Sequence, residues 1–90
     1  MKTIFKYQLS AIHEQTIELP LGSKVLSAKE QNGKFVLYAL VDSNEKDKEE
    51  YSILVYGTGH DINIDTTEYE FLDTLFNDSL VFHFFYKRVK

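Results

Sequence analysis

Hydrophobic and polar residues alternate along much of this 90-residue chain. In residues 1–9 the two alternating sets are Met1, Thr3, Phe5, Tyr7 and Leu9, and Lys2, Ile4, Lys6 and Gln8. A period of two is typical of a β-strand with one face in water. Similar runs cover residues 15–19, 24–31, 34–42, 50–56, 69–76 and 80–86. The pattern therefore predicts about seven strands.

Turn-forming residues separate these runs. Pro20-Leu21-Gly22 closes the second run, since proline fixes φ and glycine permits a sharp corner. Asn32-Gly33 alone joins the third and fourth runs. A two-residue Asn-Gly link predicts a hairpin with a type I′ turn, which needs positive φ at both positions. Asn77-Asp78 separates the last two runs and predicts a second hairpin.

The run from Phe35 to Val41 is apolar on both faces. A strand of this kind is expected at the centre of a sheet, covered by a second sheet or by another subunit. Residues 43–48 contain no apolar side chain, so they are expected to form a solvated loop.

Residues 68–76 are the one ambiguous segment. Leu72, Leu75 and Phe76 have helical spacing, and Thr66-Thr67 precedes them as a possible cap, but the aromatic content favours a strand. The predicted fold is all-β, a small antiparallel sandwich or barrel with little or no helix. At this length we expect a single domain over residues 1–90.

Composition excludes several classes of protein. The chain has no cysteine, so it has neither a disulfide nor a thiolate nucleophile, and a zinc site would need histidine and carboxylate ligands. Its net charge of −4 argues against a protein that coats duplex nucleic acid. No signal-peptide pattern and no long apolar stretch is present, so we expect a cytoplasmic protein without a membrane partner.

A small anionic ligand remains compatible with this charge, because a few local donors suffice to bind it. Cationic side chains are concentrated at the two chain ends. They are Lys2, Lys6, Lys87, Arg88 and Lys90.

The segment Tyr56-Gly57-Thr58-Gly59-His60 uses two of the four glycines in the chain. Glycines let successive backbone N–H groups converge on an anion, with a threonine hydroxyl and a histidine as further donors. The alternative is a turn or bulge that ends a strand. The segment is not a nucleotide P-loop, because no lysine follows the second glycine.

Metal binding and catalysis have weak support. The spacings of His13, His60 and His83 match no metal-ligand motif. Residues 61–65 imitate the start of a calcium loop, but Thr66 and Leu72 occupy the positions of its glycine and its bidentate glutamate. No serine lies in a nucleophile elbow. We therefore expect a protein that is not an enzyme and that uses no cofactor.

Several blocks along the chain resemble a family of short proteins from bacteria and their phages, classed as a domain of unknown function. The blocks are Met1 to Tyr7, Gln15 to Pro20, Gly22, Gln31-Asn32-Gly33, Ala39 to Asp42, Tyr56 to His60 (with GTGH) and Leu80 to His83 (LVFH). This resemblance implies an all-β fold. Similar small phage proteins include sponges, which sequester the cyclic nucleotide messengers of anti-phage defence. The resemblance to these phage proteins implies a sponge that acts in the cytosol of the host bacterium.

The resulting hypothesis is a binding protein that sequesters a small anionic ligand, with a cyclic nucleotide as the suspected ligand. Its predicted binding residues are Gly57, Thr58, Gly59 and His60, with Tyr56 and Tyr7 as stacking rings and Lys6 and Arg88 as phosphate contacts. The alternatives for these side chains are core packing for the aromatics and protection of a sheet edge for the lysines.

A homo-oligomer, a dimer or larger, is also expected. The runs Val36-Tyr38-Leu40 and Leu80 to Phe85 carry more apolar surface than a thin sandwich covers easily. The second function hypothesis is an accessory phage protein that binds another polypeptide and no small ligand. In that case GTGH is only a turn.

Overall fold

The structure, a computed structural model, describes residues 1–89 as seven strands without a helix. The strands are β1 (Lys2–Leu9), β2 (Glu14–Pro20), β3 (Lys24–Gln31), β4 (Lys34–Asp42), β5 (Lys48–Gly57), β6 (Glu70–Asn77) and β7 (Leu80–Arg88). The all-β prediction is confirmed. Lys90, which we counted among the terminal cations, lies outside the described residues.

The strands form two antiparallel sheets that enclose one core. One sheet has the order β1-β4-β3, and the other has the order β2-β5-β7-β6. The segment 68–76, ambiguous in the sequence, forms β6 and not a helix. Its alternation decides this, because Leu75 is buried in the core whereas Phe76 next to it is exposed.

Both predicted hairpins are present. Asn32 and Gly33 have φ values of 53° and 80°, as the predicted turn between β3 and β4 requires. Asp78 takes a φ of 56° in the turn between β6 and β7. These turns set the registers that place Gln31 opposite Lys34 and Asn77 opposite Leu80.

β4 is the central strand of its sheet, as its apolar run predicted. Its inward residues, Phe35, Leu37, Ala39 and Val41, are buried. The Phe35 ring meets the rings of Phe82 and Phe84 edge-on, with centroids 5.5 and 5.1 Å apart. These contacts join the two sheets, since Phe82 and Phe84 belong to β7.

The two sheets are also joined along one edge, where β3 meets β6. The Ala28 amide in β3 donates to Asp73 Oδ2 in β6 at 3.3 Å. A register shift between Phe71 and Asp73 accompanies this contact, and a bulge of this kind redirects side chains at a sheet edge. In the part of the chain that the structure describes, no helix is long and apolar enough to cross a membrane.

Candidate functional site

The GTGH segment forms a turn at the end of β5. The Thr58 amide donates to the Val81 carbonyl oxygen at 3.1 Å. The His60 amide donates to the Gly57 carbonyl oxygen at 3.1 Å, and Gly59 has a φ of 87°. Two of the amides predicted to converge on an anion are thus bonded within the protein. The nest mechanism is wrong for these two groups, because strand pairing and the turn already use their hydrogens.

The side chains of this turn also contact other residues of the protein. Thr58 Oγ1 lies 2.7 Å from His83 Nε2, and His83 Nδ1 lies 3.1 Å from Thr74 Oγ1. The His60 ring packs against Gly57, where an added Cβ would lie 2.8 Å from its Cε1 atom. A side chain at residue 57 would require the exposed His60 ring to move.

The hollow next to the turn is small and mainly apolar. It has a volume of about 230 Å³, and Gly57, Thr58, His60, Ser79, Leu80, Val81 and Phe82 line it. None of these side chains is a lysine or an arginine. An anion in this hollow would therefore have little positive charge near it.

Tyr56 does not offer a free ring for stacking. It is buried, and its ring stacks on the ring of His13 with centroids 5.6 Å apart. The His13 ring in turn meets the His60 ring edge-on at 6.4 Å. The aromatic groups of this corner therefore pack on one another.

Arg88 lies far from the turn. It pairs with Tyr51 in the register of β5 and β7, whereas Gly57 pairs with Phe82 at the other end. Six residues of strand separate the two places by about 20 Å. Arg88 Nη1 donates to Glu49 Oε2 at 2.9 Å. Arg88 and the GTGH turn therefore cannot hold one small ligand together.

Tyr7 and Lys6 are neighbours on β1 but point to opposite faces of the sheet. Tyr7 packs against the core, and burial raises the pKa of its hydroxyl. Lys6 lies opposite Tyr38 on the outer face. The eight predicted residues thus fall into four places: the turn with Tyr56, the core beside Tyr7, the outer face at Lys6, and the far end of β7 at Arg88.

The outer face of the β1-β4-β3 sheet carries a concentration of positive charge. We call it the lysine face, and its lysines are Lys2, Lys6, Lys24, Lys29 and Lys34. Alternation places all of them outward, since the core residues of these strands occupy the other positions. They are exposed and make up five of the ten Lys and Arg residues in the chain.

The two carboxylates on these three strands both accept hydrogen bonds from other groups. Glu30 accepts a hydrogen bond from the Gly33 amide. Asp42 accepts one from the N-terminal ammonium group at 2.9 Å. That ammonium group and the Asn44 amide hold the pKa of Asp42 below its usual value. Neither carboxylate forms a salt bridge with a lysine of the face.

A hollow of about 430 Å³ lies on the lysine face, lined by Lys6, Gln8, Gln31, Asn32, Lys34 and Val36. Lys6 Nζ donates to Gln31 Oε1 at 3.4 Å. Gln31 Nε2 donates to the Tyr38 hydroxyl oxygen at 2.6 Å. The hollow is thus bounded by ammonium and amide groups from all three strands.

Sequence reasoning selected Lys6 but missed Gln31, Lys34 and Tyr38. The Asn-Gly hairpin and the strand alternation already place Gln31 beside Lys34 on one face. The pairing of β1 with β4, which brings Lys6 to them, has no local pattern in the sequence.

A family model described as a domain of unknown function (DUF7352) matches residues 1–90. The chain belongs to this family. No curated protein and no solved structure matches it. The resemblance to a family of unknown function is thereby confirmed, and the description of the family carries no activity.

Metal binding has no support from the geometry of this family member. Within residues 1–89, no three His, Asp or Glu side chains come together as a metal site. The candidate site is the lysine face, whose side chains offer hydrogen-bond donors and positive charge.

Proposed function

We propose that this protein is a non-enzymatic binding module that captures a small anionic ligand on its lysine face. One observation carries the proposal: five exposed lysines share one face of a three-stranded sheet in a chain of net charge −4. Charge of one sign on one surface attracts anions whatever the net charge of the protein.

The hollow on this face supports a ligand of nucleotide size. Its volume of about 430 Å³ falls in the range of small-molecule sites. Lys6 and Lys34 each end in an ammonium group with three donors and no acceptor. A phosphate group accepts such donors with each of its free oxygens.

The resemblance to phage sponges makes a cyclic nucleotide messenger the first candidate ligand, and the bacterial cytosol the place of action. Sequestration works by mass action, so the protein needs no base, nucleophile or metal. A slow dissociation rate keeps the messenger from its effector.

Isothermal titration calorimetry with cyclic di- and trinucleotides tests the proposal. We expect binding by the wild-type protein, recovery of the nucleotide unaltered by chromatography, and a loss of about tenfold or more in affinity for the double variant Lys6→Gln/Lys34→Gln. The matched control is Lys46→Gln/Lys48→Gln, which removes two exposed lysines near the start of β5. It should bind nearly as the wild type does.

A second double variant locates the site. Thr58→Ala/His60→Ala should leave the affinity unchanged, because those side chains belong to the β5 turn. If this variant loses binding and Lys6→Gln/Lys34→Gln does not, the ligand lies at the turn and the lysine-face proposal is wrong. Recovery of an altered nucleotide would indicate an enzyme.

An apolar strip on the β6–β7 hairpin favours a second candidate function, binding to another polypeptide. Phe71 and Phe76 are exposed on its outer face, and the Phe71 ring meets the Phe85 ring at 5.8 Å. In the run 80–85, which we expected to carry more apolar surface than a thin sandwich covers, Val81 and Phe85 share the outer face with Phe71 and Phe76. Phe82 and Phe84 pack on the core side instead.

The simplest partner for this strip is a second copy of the chain, which would make the protein a homo-oligomer. We expect sedimentation of the wild type as a dimer or larger and of Phe71→Ser/Phe76→Ser as a monomer. A wild-type protein that stays monomeric at the highest concentration tested would contradict this candidate.

A further inference from the structure

Given the proposed function, we infer that the Tyr38 hydroxyl donates an uncharged hydrogen bond to the bound anion beside Lys6, so that one phosphate group of the ligand meets both a neutral donor and a charged donor. The inference starts from the position of Tyr38. It lies directly opposite Lys6 in the β1–β4 register and points to the lysine face. Cβ atoms of such a pair lie about 4.5 to 5.5 Å apart, so one phosphate group can contact both side chains.

The hydrogen-bond chain on this face fixes the direction of each donor. Lys6 is an ammonium group and only donates, so the atom of Gln31 that faces it must be the oxygen Oε1. The other end of the same amide, Nε2, then faces the Tyr38 hydroxyl and donates to it. Tyr38 is therefore the acceptor in this bond.

A hydroxyl group that accepts one hydrogen bond still has its own hydrogen to donate. Within residues 1–89, no side-chain or backbone acceptor takes the hydrogen of Tyr38. Tyr38 is half-buried, and its hydroxyl oxygen is held in place by Gln31. The lysine face thus presents a positioned neutral donor next to a charged one.

This set of groups contains mainly donors. Lys6 Nζ keeps further hydrogens after bonding to Gln31, and Lys34 lines the same hollow. An amino group on a ligand would meet these donors unfavourably, whereas each free oxygen of a phosphate ester accepts them. Gln31 acts as a positioning residue. Its amide oxygen accepts a hydrogen bond from Lys6 and its amide nitrogen donates one to Tyr38, so it orients both side chains.

The salt dependence of binding separates a neutral donor from a charged one. A lysine that contacts a phosphate contributes to the slope of log affinity against log salt concentration, and a tyrosine does not. The experiment measures the affinity of wild type, Tyr38→Phe and Lys6→Gln for a cyclic dinucleotide and for inorganic phosphate, between about 50 and 200 mM salt.

We expect Tyr38→Phe to weaken binding of the cyclic dinucleotide about tenfold at every salt concentration, with an unchanged slope. Lys6→Gln should weaken binding and reduce the slope by up to about one. Tyr7→Phe is the matched control, since it removes a hydroxyl from the other face of β1 and should bind as the wild type does. Melting temperatures should agree among these variants.

Failure of the inference and failure of the proposed function give different results. If Tyr38→Phe binds as the wild type does while Lys6→Gln is weakened, Tyr38 is not a ligand donor and the proposed function survives. A reduced salt slope in Tyr38→Phe would also overturn the inference, because it would show loss of a lysine contact. If the wild-type protein binds neither probe, the proposed function fails and the inference fails with it.

Discussion

Replacement of Phe84 by alanine is expected to lower the free energy of unfolding by about 3 to 5 kcal/mol. Phe84 is 0% exposed, and its ring meets the Phe35 ring edge-on at 5.1 Å. Removal of the ring leaves a cavity between the two sheets and deletes a contact that joins them. Chemical denaturation followed by circular dichroism measures the change.

Phe76→Ala provides the matched control for this prediction. Phe76 lies on the adjacent strand of the same hairpin and is 64% exposed. The identical substitution should change the free energy of unfolding by no more than about 0.5 kcal/mol. Equal losses for the two variants would contradict a packing in which Phe84 faces the core and Phe76 faces outward.

Replacement of Glu49 by alanine is expected to cost about 2 to 3 kcal/mol. Glu49 is 3% exposed and its carboxylate accepts two hydrogen bonds. The Gly22 amide donates to it at 2.7 Å, and Arg88 Nη1 donates to it at 2.9 Å. The variant leaves the turn after β2 without its acceptor. Arg88, with 63% of its side chain exposed, can bond to water instead.

Two further variants test this explanation by the same denaturation measurement. Glu49→Gln keeps the size and one acceptor oxygen, so it should lose less stability than Glu49→Ala. Glu68 pairs with Lys87 at 3.5 Å but is 82% exposed, so Glu68→Ala should change stability little. A large loss in Glu68→Ala together with a small one in Glu49→Ala would contradict the structural role of the buried carboxylate.

The distribution of cations shows why net charge is a poor guide to the site. Two cations near the C-terminus, Lys87 and Arg88, interact with other side chains of the chain. Lys87 lies 4.9 Å from the centre of the Tyr69 ring and pairs with Glu68, while Arg88 pairs with Glu49. The lysines of the lysine face come from three separate strands, and within residues 1–89 none of them forms a salt bridge with a carboxylate. The positive surface therefore combines Lys2 and Lys6 from the N-terminal end with Lys24, Lys29 and Lys34 from β3 and β4.

Much of the fold could be predicted because its causes are local. Period-two alternation identified the strands, and the Asn32-Gly33 link fixed the β3–β4 hairpin with positive φ at both residues. The apolar run from Phe35 to Val41 identified the central strand of one sheet. Each of these features depends on residues close in the chain, so the sequence alone contains it.

The candidate site depends on contacts between distant segments. The sequence determined that Lys6, Gln31, Lys34 and Tyr38 lie on strands and on which alternating position each falls. Only the tertiary structure decided that β1 pairs with β4, which brings Lys6 opposite Tyr38, and that β5 pairs with β7, which separates Arg88 from the GTGH turn. The order of the strands depends on burying the apolar faces of all of them in one core. No local pattern of residues determines that arrangement.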